Sequence, residues 1–424
     1  MPPRVVVEIH EGQIARSLLE NGLLDFLRDR QAEVALVVPA TRVDSFVARY
    51  AGPSISFHDL GLLGKGLSSW ENYEFAFGQR LSLHGYHKLR RSIWHWCAEP
   101  YIAQRAQHER AFLENWRPDV VVSTHLSQVY GRGLVAVANR MAIPTIGNLN
   151  SWDNAWKGLK VRPRQLTCWS TDNKEELCRL ASYTSKQVQV IGAPAFDAYF
   201  AQDAQWSRVE LCARLGIDTD RPLLLFATLG QFKQQIDETN PLEVLLKSLD
   251  HNGIPGNPQV IVRLHPWSRE TYFKTLLEHP AVTVSRYEHY VPGLAWTPTR
   301  DETILAGNLI RHANVIISPG STMTVEAAIF DTPVVVPAFN EYMPNVFDDY
   351  FQHTWTNQHL GRIYRNDWAC IVKSPEEMLL AINTTLKNPH WYQEGRFRIR
   401  ENILGPLDGK ATERFAAAIF ERSL

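Results

Sequence analysis

The chain has 424 residues, enough for two domains of ordinary size, and its 45% hydrophobic and 21% charged residues are typical of a globular enzyme. Its formal net charge of -1 provides no overall field to attract nucleic acid, so we expect no nucleic-acid partner and only local phosphate binding.

The five cysteines are scattered, odd in number and without a CxxC pair, which favours reduced thiols in the cytoplasm. The first apolar run reaches Glu8 after three valines, too short for a secretory signal, and no run approaches the roughly 18 apolar residues of a membrane span.

Short β-branched segments alternate with amphipathic stretches along the first half of the chain. Strands are predicted over residues 4–9, 34–38, 120–124, 145–149 and 188–191. Helices are predicted between them, over residues 15–30, 101–116 and 174–181. This alternation is typical of a parallel sheet covered by helices.

The same pattern begins again in the second half, after a crossover within residues 193–222. Strands are predicted there over residues 223–227, 260–264, 282–285, 315–317 and 334–336. The fold class is therefore α/β, with two doubly wound Rossmann-like domains facing across a cleft. We expect an N-terminal domain over residues 1–200 and a C-terminal domain over 201–390. A helical segment over 391–424 would pack back on the first domain.

Residues 64–103 fit this alternation poorly, because they mix aromatic with basic side chains. One interpretation is an inserted helical hairpin whose Leu89, Ile93 and Trp96 share a packed face at helical spacing. The other is a basic aromatic surface, formed by Arg90, Arg91, Trp94 and Trp96, that receives an acceptor or contacts a membrane.

Chemistry-bearing residues follow two strands of the second half. In "VIVRLHPWSRE" the strand places Arg263 and then His265 at its carboxyl end, where Pro266 stops the ladder. A histidine there can donate to a phosphate oxygen, and an arginine can offer a bidentate fork; the alternative is a structural histidine. Gly230 and Gln231, after the first strand of this half, would let the backbone approach a ligand.

The stretch "IISPGSTMTVEAAIF" combines small and hydroxyl residues with the start of a helix predicted over residues 323–330. Ser318, Gly320, Ser321 and Thr322 lie at the helix N-terminus, which favours an anion such as phosphate. One turn inside, the carboxylate of Glu326 could accept hydrogen bonds from a ribose diol. The alternative is that Ser321 only caps the helix and that Glu326 is solvated.

These motifs, with "DTPVVVPAF" after them, resemble the donor half of GT-B glycosyltransferases, especially bacterial enzymes of surface polysaccharides. Sialyl- and Kdo-transferases share the His-Pro and Ser/Thr motifs, and CDP-glycerol glycerophosphotransferases are distantly similar. "SWDN" and "VIGAPAFD" also resemble segments of proteins from polysaccharide clusters. The resemblance implies that His265, Ser318, Ser321 and Thr322 bind the donor phosphate and that Glu326 contacts the ribose.

The acceptor would then enter from the first half of the chain, where three groups could take its proton. We rank Glu11 first, Asp153 second and His10 third. Glu11-Gly12 resembles the acidic pair plus glycine of bacterial sialyltransferases, although His10 occupies the first acidic position.

Three further residues of this half are predicted to bind the substrate rather than to act on it. Trp152 could stack on a sugar face, and Asn154 could bond sugar hydroxyls, unless "NSWDNAW" is only an Asx turn. His125, after "VVVST", should also face the ligand.

Motifs for a resident cofactor are absent from the sequence. There is no D-x-D, HExxH or Walker motif, and His84-x-x-His87 has no neighbouring carboxylate or cysteine to complete a metal site. We therefore expect a metal-independent enzyme without a cofactor, in which helix N-termini, hydroxyls and cations stabilise the departing nucleotide.

The resulting hypothesis is a cytoplasmic bacterial glycosyltransferase, working at the inner face of the membrane. It would move a sugar from a CMP- or UDP-linked donor to a saccharide or lipid-linked glycan. The alternatives are a non-hydrolysing nucleotide-sugar 2-epimerase, a CDP-glycerol glycerophosphotransferase-like enzyme and a non-catalytic nucleotide- or glycan-binding protein.

Overall fold

A computed structural model describes residues 2–61, 68–230, 238–268, 270–345, 349, 351–352 and 360–421. The chain divides into two compact units. Unit 1 comprises Met1–Ala198, His289–Arg300 and Leu404–Leu424, and unit 2 comprises Tyr199–Glu288 and Asp301–Ile403. Residues 289–300, which the sequence assigned to the second domain, thus group with unit 1.

Unit 1 is built on a seven-stranded parallel sheet in the order β3-β2-β1-β4-β5-β6-β7. The central strands are valine-rich because helices cover both faces; Val5, Val6 and Val7 are fully buried. The strands are β1 (Arg4–Glu8), β2 (Glu33–Val37), β3 (Ile55–His58), β4 (Val120–Ser123), β5 (Thr145–Asn148), β6 (Gln165–Cys168) and β7 (Val188–Val190).

The helices of unit 1 lie mainly between these strands. They are α1 (Gly12–Ile14, continuing as a π-helical turn over Ala15–Leu19), α2 (Leu23–Asp29), α3 (Asp44–Tyr50), α4 (Ser69–Leu83), α5 (His87–Ile93, continuing as a π-helical turn over Trp94–Ala98), α6 (Glu99–Arg105), α7 (Gln107–Trp116), α8 (Arg132–Arg140), α9 (Asn154–Lys157) and α10 (Thr171–Ala181).

All five strands predicted for the first half are present, but two of the predicted helices are wrong in extent. The helix predicted over 15–30 is interrupted at Gly22, whose φ of 83° lies in the left-handed region. The helix predicted over 101–116 breaks at Ala106, between α6 and α7. The sequence also missed β3 and β6, which contain polar residues and give a weaker strand signal.

Unit 2 is built on a six-stranded parallel sheet in the order β10-β9-β8-β13-β14-β15. The five predicted strands are present, and only the three-residue β15 was missed. The strands are β8 (Leu223–Ala227), β9 (Gln259–Arg263), β10 (Val282–Ser285), β13 (Val315–Ile317), β14 (Val334–Pro337) and β15 (Cys370–Val372).

The six-stranded sheet and its helices give unit 2 the same α/β layering as unit 1. Its described helices begin with α11 (Arg208–Leu215), α12 (Thr239–Asp250), α13 (Glu270–Leu277) and α14 (Arg300–His312). They continue with α15 (Met323–Ile329), α16 (Leu360–Arg365), α17 (Pro375–Lys387) and α18 (Gln393–Ile399, followed by a π-helical turn over Arg400–Leu404).

Two late segments of the chain complete unit 1. The antiparallel hairpin of β11 (Tyr290–Val291) and β12 (Ala295–Trp296) reaches the loop after β1, where the Gly12 N–H donates to the Leu294 carbonyl at 2.9 Å. The last described helix, α19 (Ala411–Phe420), packs against α2. The Asp197 carboxylate accepts the first N–H groups of α19, from Ala411 at 3.1 Å and Thr412 at 2.6 Å.

The helical insertion is present, but neither predicted grouping of its side chains is correct. Leu89 and Trp96 are 49% and 73% exposed, so they do not share a packed face. Arg90 and Trp94 are instead buried; the Arg90 guanidinium donates to the Ser82 hydroxyl and the Leu180 carbonyl, both at 2.5 Å. In the part of the chain that the structure describes, no helix is long and apolar enough to cross a bilayer.

Candidate functional site

The two motifs of unit 2 lie at one edge of its sheet. β9 and β13 flank β8, all three run parallel, and Arg263, Ala227 and Ile317 lie within one residue of the same level. The carboxyl ends of neighbouring parallel strands meet at the same edge. The loops that carry His265 and Ser318 therefore lie at this edge, separated by one strand. We call it the unit 2 edge.

His265 is held in one orientation and one tautomer. Its backbone N–H donates to the Thr228 hydroxyl at 2.8 Å, and its Nδ1 accepts the Trp267 N–H at 3.2 Å. Because Nδ1 is the acceptor, the ring proton is on Nε2. Burial lowers the pKa of His265 to about 4, so the imidazole is neutral at pH 7 and can donate a hydrogen bond from Nε2.

Gly230 makes room for this imidazole. A Cβ at Gly230 would lie 2.3 Å from Nδ1 of His265, and the φ of Gly230 is +73°. The sequence predicted that this glycine admits a ligand, whereas its nearest neighbour is the His265 ring. Gln231 lies outside the described residues.

We expect Gly230→Ala to destabilise unit 2 by more than Gly216→Ala. Both glycines have a positive φ, but a Cβ at Gly216 would have nothing within 4 Å. Gly216→Ala should therefore lower the free energy of unfolding only by the strain of an alanine in the left-handed conformation, about 1–2 kcal/mol. Gly230→Ala should add the displacement of His265. Denaturant unfolding measures both, and equal losses would contradict the predicted clash.

Hydrogen bonds within residues 318–323, which we call the serine loop, already use some of its donors and acceptors. The hydroxyls of Ser318 and Ser321 lie 2.9 Å apart, and Ser321 Oγ accepts the Met323 N–H at 3.1 Å. The Gly320 N–H donates to the Ser318 carbonyl at 2.8 Å. Ser321 thus caps the start of α15, which has seven residues rather than the predicted eight, while Thr322 is the N-cap residue without a side-chain cap. Their binding of phosphate stays a prediction.

Two other predicted ligand groups of unit 2 already have protein partners. Glu326 accepts a hydrogen bond from the Tyr199 hydroxyl at 2.9 Å. Its contact with a ribose diol stays a prediction. Arg263 is turned toward β10: its guanidinium donates to the Ser285 hydroxyl at 2.7 Å and lies 3.6 Å from the centre of the Tyr287 ring. The expected fork toward a phosphate is therefore not formed by this conformer.

Unit 1 contains a buried carboxylate at the end of β1 that sequence reasoning missed. Glu8 is completely buried, and its Oε1 accepts the Ser123 hydroxyl at 2.5 Å and the Thr124 N–H at 3.3 Å. Its Oε2 lies 3.2 Å from Nε2 of His10. Gly131, the N-cap of α8, leaves the necessary space, since a Cβ there would lie 1.8 Å from Oε2. The sequence signal that could have revealed this site is the glutamate that ends a strand made largely of valine.

These contacts keep Glu8 ionised. Burial alone would raise the pKa of Glu8, but the hydrogen bonds from His10 and Ser123 and the charge of His10 outweigh it and hold the pKa below its ordinary value. The imidazole of His10 is oriented by this carboxylate. Its Nδ1 is buried and, among the described residues, has no hydrogen-bond partner.

Glu11 and His125 lie at the same edge of the unit 1 sheet, which we call the unit 1 edge. Oε1 of Glu11 is 3.6 Å from Nδ1 of His125. The Glu11 side chain is 39% exposed, and partial burial raises its pKa, against the opposing charges of His10 and Lys157. Burial lowers the pKa of His125 to about 4. Tyr130 connects the histidines, with its ring centre 5.3 Å from His10 and 5.6 Å from His125.

The "SWDN" residues are held by protein contacts. Trp152 is 5% exposed, so it offers no open ring face for the predicted stacking on a sugar. Asp153 pairs with Lys157 at 2.6 Å. Asn154 accepts the Ser151 N–H at 3.0 Å. The amide of Asn154, rather than an Asx turn of Asp153, thus closes this loop.

Potential metal ligands are dispersed in the described part of the chain, which has no group of three or more His, Cys, Asp or Glu side chains suited to an ion. The rings of the His84-x-x-His87 pair bond to different partners, the Arg80 carbonyl and the Ser182 hydroxyl.

Several solved structures are similar to this chain over nearly its whole length. The UDP-GlcNAc 2-epimerase of Neisseria meningitidis, bound to UDP-GlcNAc, has a TM-score of 0.59 and 13% identity over 99% of this chain and 100% of its own. MurG of Acinetobacter baumannii has a TM-score of 0.51 and 12% identity, with 99% and 100% covered.

The chain has the GT-B fold. A putative UDP-N-acetylglucosamine 2-epimerase of Listeria monocytogenes is a further similar structure, with a TM-score of 0.58, 12% identity and coverage of 99% of this chain and 97% of its own. No protein-family model matches the sequence, and no curated protein is significantly similar to it. At these identities the GT-B likeness extends to the fold, and the reaction has to be argued from the residues of this chain.

Proposed function

We propose that this chain is a metal-independent glycosyltransferase that uses a nucleotide-activated sugar. The observation that carries the proposal is the position of His265 and the serine loop, one strand apart at the unit 2 edge. A neutral imidazole donating from Nε2, together with serine and threonine hydroxyls, supplies hydrogen-bond donors for the phosphates of a nucleotide.

The unit 1 edge supplies the group that takes the proton from an acceptor hydroxyl. Glu11 suits this role because its carboxylate is accessible and its raised pKa makes it a stronger base than an ordinary carboxylate. Glu8 and His10 form a buried pair at the end of the same strand, β1. The acceptor in this proposal is a saccharide or a lipid-linked glycan of the cell surface.

The second candidate is a nucleotide-sugar 2-epimerase. It is favoured by the concentration of titratable groups at the unit 1 edge, where Glu8, His10, Glu11 and His125 lie at the carboxyl ends of two adjacent strands. An epimerase has to remove and return protons on one sugar and needs no acceptor. Epimerases predominate among the similar structures, which include the epimerase of Neisseria meningitidis and the putative epimerase of Listeria monocytogenes.

Ligand-dependent unfolding followed by product analysis tests the proposal. The full chain is heated with UDP, CDP, CMP, GDP and their sugar conjugates, and with the free nucleosides as controls. A ligand at 100 times its Kd should stabilise the folded state by about 2.7 kcal/mol. Stabilisation by no nucleotide would contradict the proposal. A donor that is epimerised without acceptor would favour the second candidate, and binding without any turnover would favour a non-catalytic protein.

We expect His265→Ala to weaken the best nucleotide by roughly 10- to 100-fold, because a hydrogen bond to a charged group is worth about 1.5–3 kcal/mol. Calorimetric titration measures the Kd. His279→Ala is a suitable control, since His279 pairs with Asp250 on the surface at 3.0 Å. If the unmodified chain and His265→Ala bound the nucleotide with equal affinity, His265 would not be part of the phosphate site.

A further inference from the structure

The helical insertion of unit 1 carries an unusual share of exposed apolar side chains. Of the fourteen large hydrophobic residues that are exposed in the described part of the chain, seven lie between residues 70 and 96. They are Trp70 (39%), Tyr73 (69%), Phe77 (39%), Leu83 (61%), Tyr86 (60%), Leu89 (49%) and Trp96 (73%). Exposed apolar groups scattered singly need no explanation, but seven on one helical hairpin mark an interaction surface.

The first helix of this hairpin presents its apolar residues as a stripe. Trp70, Tyr73 and Phe77 are three and four residues apart on α4, so they lie on one helix face, and the rings of Tyr73 and Phe77 stack with centres 6.1 Å apart. Arg80 and His84 continue the same face at the next turns. The opposite face is packed, with Glu74, Gly78 and Ser82 buried.

Cations surround the stripe, and carboxylates are withdrawn from it. Arg80 and Lys88 are exposed at one end; at the other, Trp70 contacts the ring of Tyr101 at 4.6 Å, and the exposed Arg105 lies 5.6 Å from that ring. The carboxylates of residues 68–106 are turned inward. They are Glu71, with 14% of its side chain exposed, and the buried Glu74 and Glu99.

Glu71 and Glu74 are also neutralised. Both pair with the buried Arg132, at 3.3 Å and 3.0 Å. The solvent-facing side of the hairpin therefore combines aromatic rings, leucines and positive charges that no exposed carboxylate of residues 68–106 opposes. This composition is typical of surfaces that lie in the interface of an anionic bilayer, where Trp and Tyr occupy the headgroup level and each Lys or Arg is attracted by anionic lipid.

A second copy of the chain fits this surface less well. A symmetric dimer brings the same patch of both copies together. Arg80 and Lys88 would then face a patch that carries cations and offers no exposed carboxylate in residues 68–106. The positive rim would be repulsive in that dimer, whereas it is attractive at an anionic lipid surface.

We propose that the exposed side of the hairpin α4–α5, with Trp70, Tyr73, Phe77, Leu89 and Trp96 as its apolar part, docks on a bilayer of anionic phospholipids. The chain lies on the membrane rather than spanning it. The apolar side chains enter the headgroup region, and Arg80, Lys88 and Arg105 contact lipid phosphates. This inference does not rest on the proposed transferase activity, because binding to lipid requires no substrate.

Vesicle flotation at low ionic strength tests the proposal with the full chain. We expect binding to vesicles of phosphatidylglycerol and phosphatidylcholine, and at least about tenfold weaker binding to pure phosphatidylcholine. Y73A/F77A/W96A and R80E/K88E should each weaken binding by about tenfold or more. The matched control V209A/Y272A/L380A removes three exposed apolar side chains of unit 2, 62%, 53% and 68% exposed, and should bind as the unmodified chain does.

Circular dichroism and thermal unfolding of each variant verify that it is folded, which is expected for changes at exposed positions. Failure of the folded, unmodified chain to bind anionic vesicles would overturn the proposal. So would equal loss of binding in the control variant. Light scattering tests whether a second copy of the chain covers this surface instead. If the unmodified chain is a dimer and Y73A/F77A/W96A is a monomer, the surface joins two copies and the lipid proposal is wrong.

Discussion

Replacing Glu8 with alanine is expected to lower the free energy of unfolding by about 3–5 kcal/mol, the usual result of removing one partner from a buried, hydrogen-bonded charge pair. The carboxylate is completely buried and accepts hydrogen bonds from Ser123 and Thr124 while pairing with His10. Its removal would leave these donors without an acceptor, in a space that is closed to water. Urea or guanidinium denaturation measures the loss.

Glu33→Ala is the matched control for this experiment. Glu33 lies in the neighbouring strand and pairs with Arg4 at 3.2 Å, but 48% of its side chain is exposed. An exposed ion pair is worth about 0–1 kcal/mol, so the control should be nearly neutral. Similar losses for both variants would show that Glu8 is not the central buried charge of the unit 1 edge.

The lowered pKa of Glu8 also fixes the sign of its pH dependence. A carboxyl group with a folded-state pKa below the ordinary value of 4.5 stabilises the fold fully above that pH. The contribution is lost as the pH falls through the folded-state pKa. Glu8→Gln should therefore be less stable than the unmodified chain at pH 7, and the difference should shrink in acid.

Replacing Glu11 with glutamine is expected to lower kcat by about 10²- to 10⁴-fold, the range for loss of a general base. The prediction depends on the transferase proposal, in which Glu11 accepts the proton of the acceptor hydroxyl. Glutamine keeps the shape of the side chain and removes its basicity, so the Kd of the nucleotide should change little. Steady-state kinetics with the donor found by unfolding assays gives kcat and KM separately.

The pH profile provides a second readout for Glu11. Because burial raises the pKa of Glu11, the rate should decline toward acid at a higher pH than for an ordinary glutamate. Glu33→Gln, at an exposed position, should retain full turnover. If Asp153→Asn abolished turnover while Glu11→Gln did not, the base would be Asp153 and the ranking of the two groups would be wrong.

The sequence predicted more of the unit 2 edge than of the unit 1 edge. At the unit 2 edge, two motifs could be placed together from the sequence because both follow strands of one parallel sheet. At the unit 1 edge, Glu8 was passed over because a residue inside a strand is assigned to packing by its pattern alone. Its role depends on Ser123, 115 residues away in the chain, and such a contact has no local signal.

The helical insertion shows the same limit. Periodicity predicted helices there, but the face that is packed was assigned incorrectly. Arg90 is buried because Ser82 and the Leu180 carbonyl accept its N–H groups, and Trp96 is exposed although it is aromatic. Hydrophobicity ranks residues by their average burial, whereas the partner available at each position decides the individual case.

Sequence patterns alone were sufficient to predict the α/β class, ten of the thirteen strands in the two parallel sheets and the position of the His265 and Ser318 motifs after strands. These features follow from local patterns, since β-branched runs and turn residues act over a few neighbours. The tertiary structure decided the tautomer of His265, the buried pair of Glu8 and His10, the burial of Trp152 and the membership of residues 289–300 in unit 1. Trp267 and His10 are only two residues from their partners, but distant segments also hold those partners, since Thr228 contacts His265 and Ser123 contacts Glu8. Such long-range contacts exist only when the chain is folded.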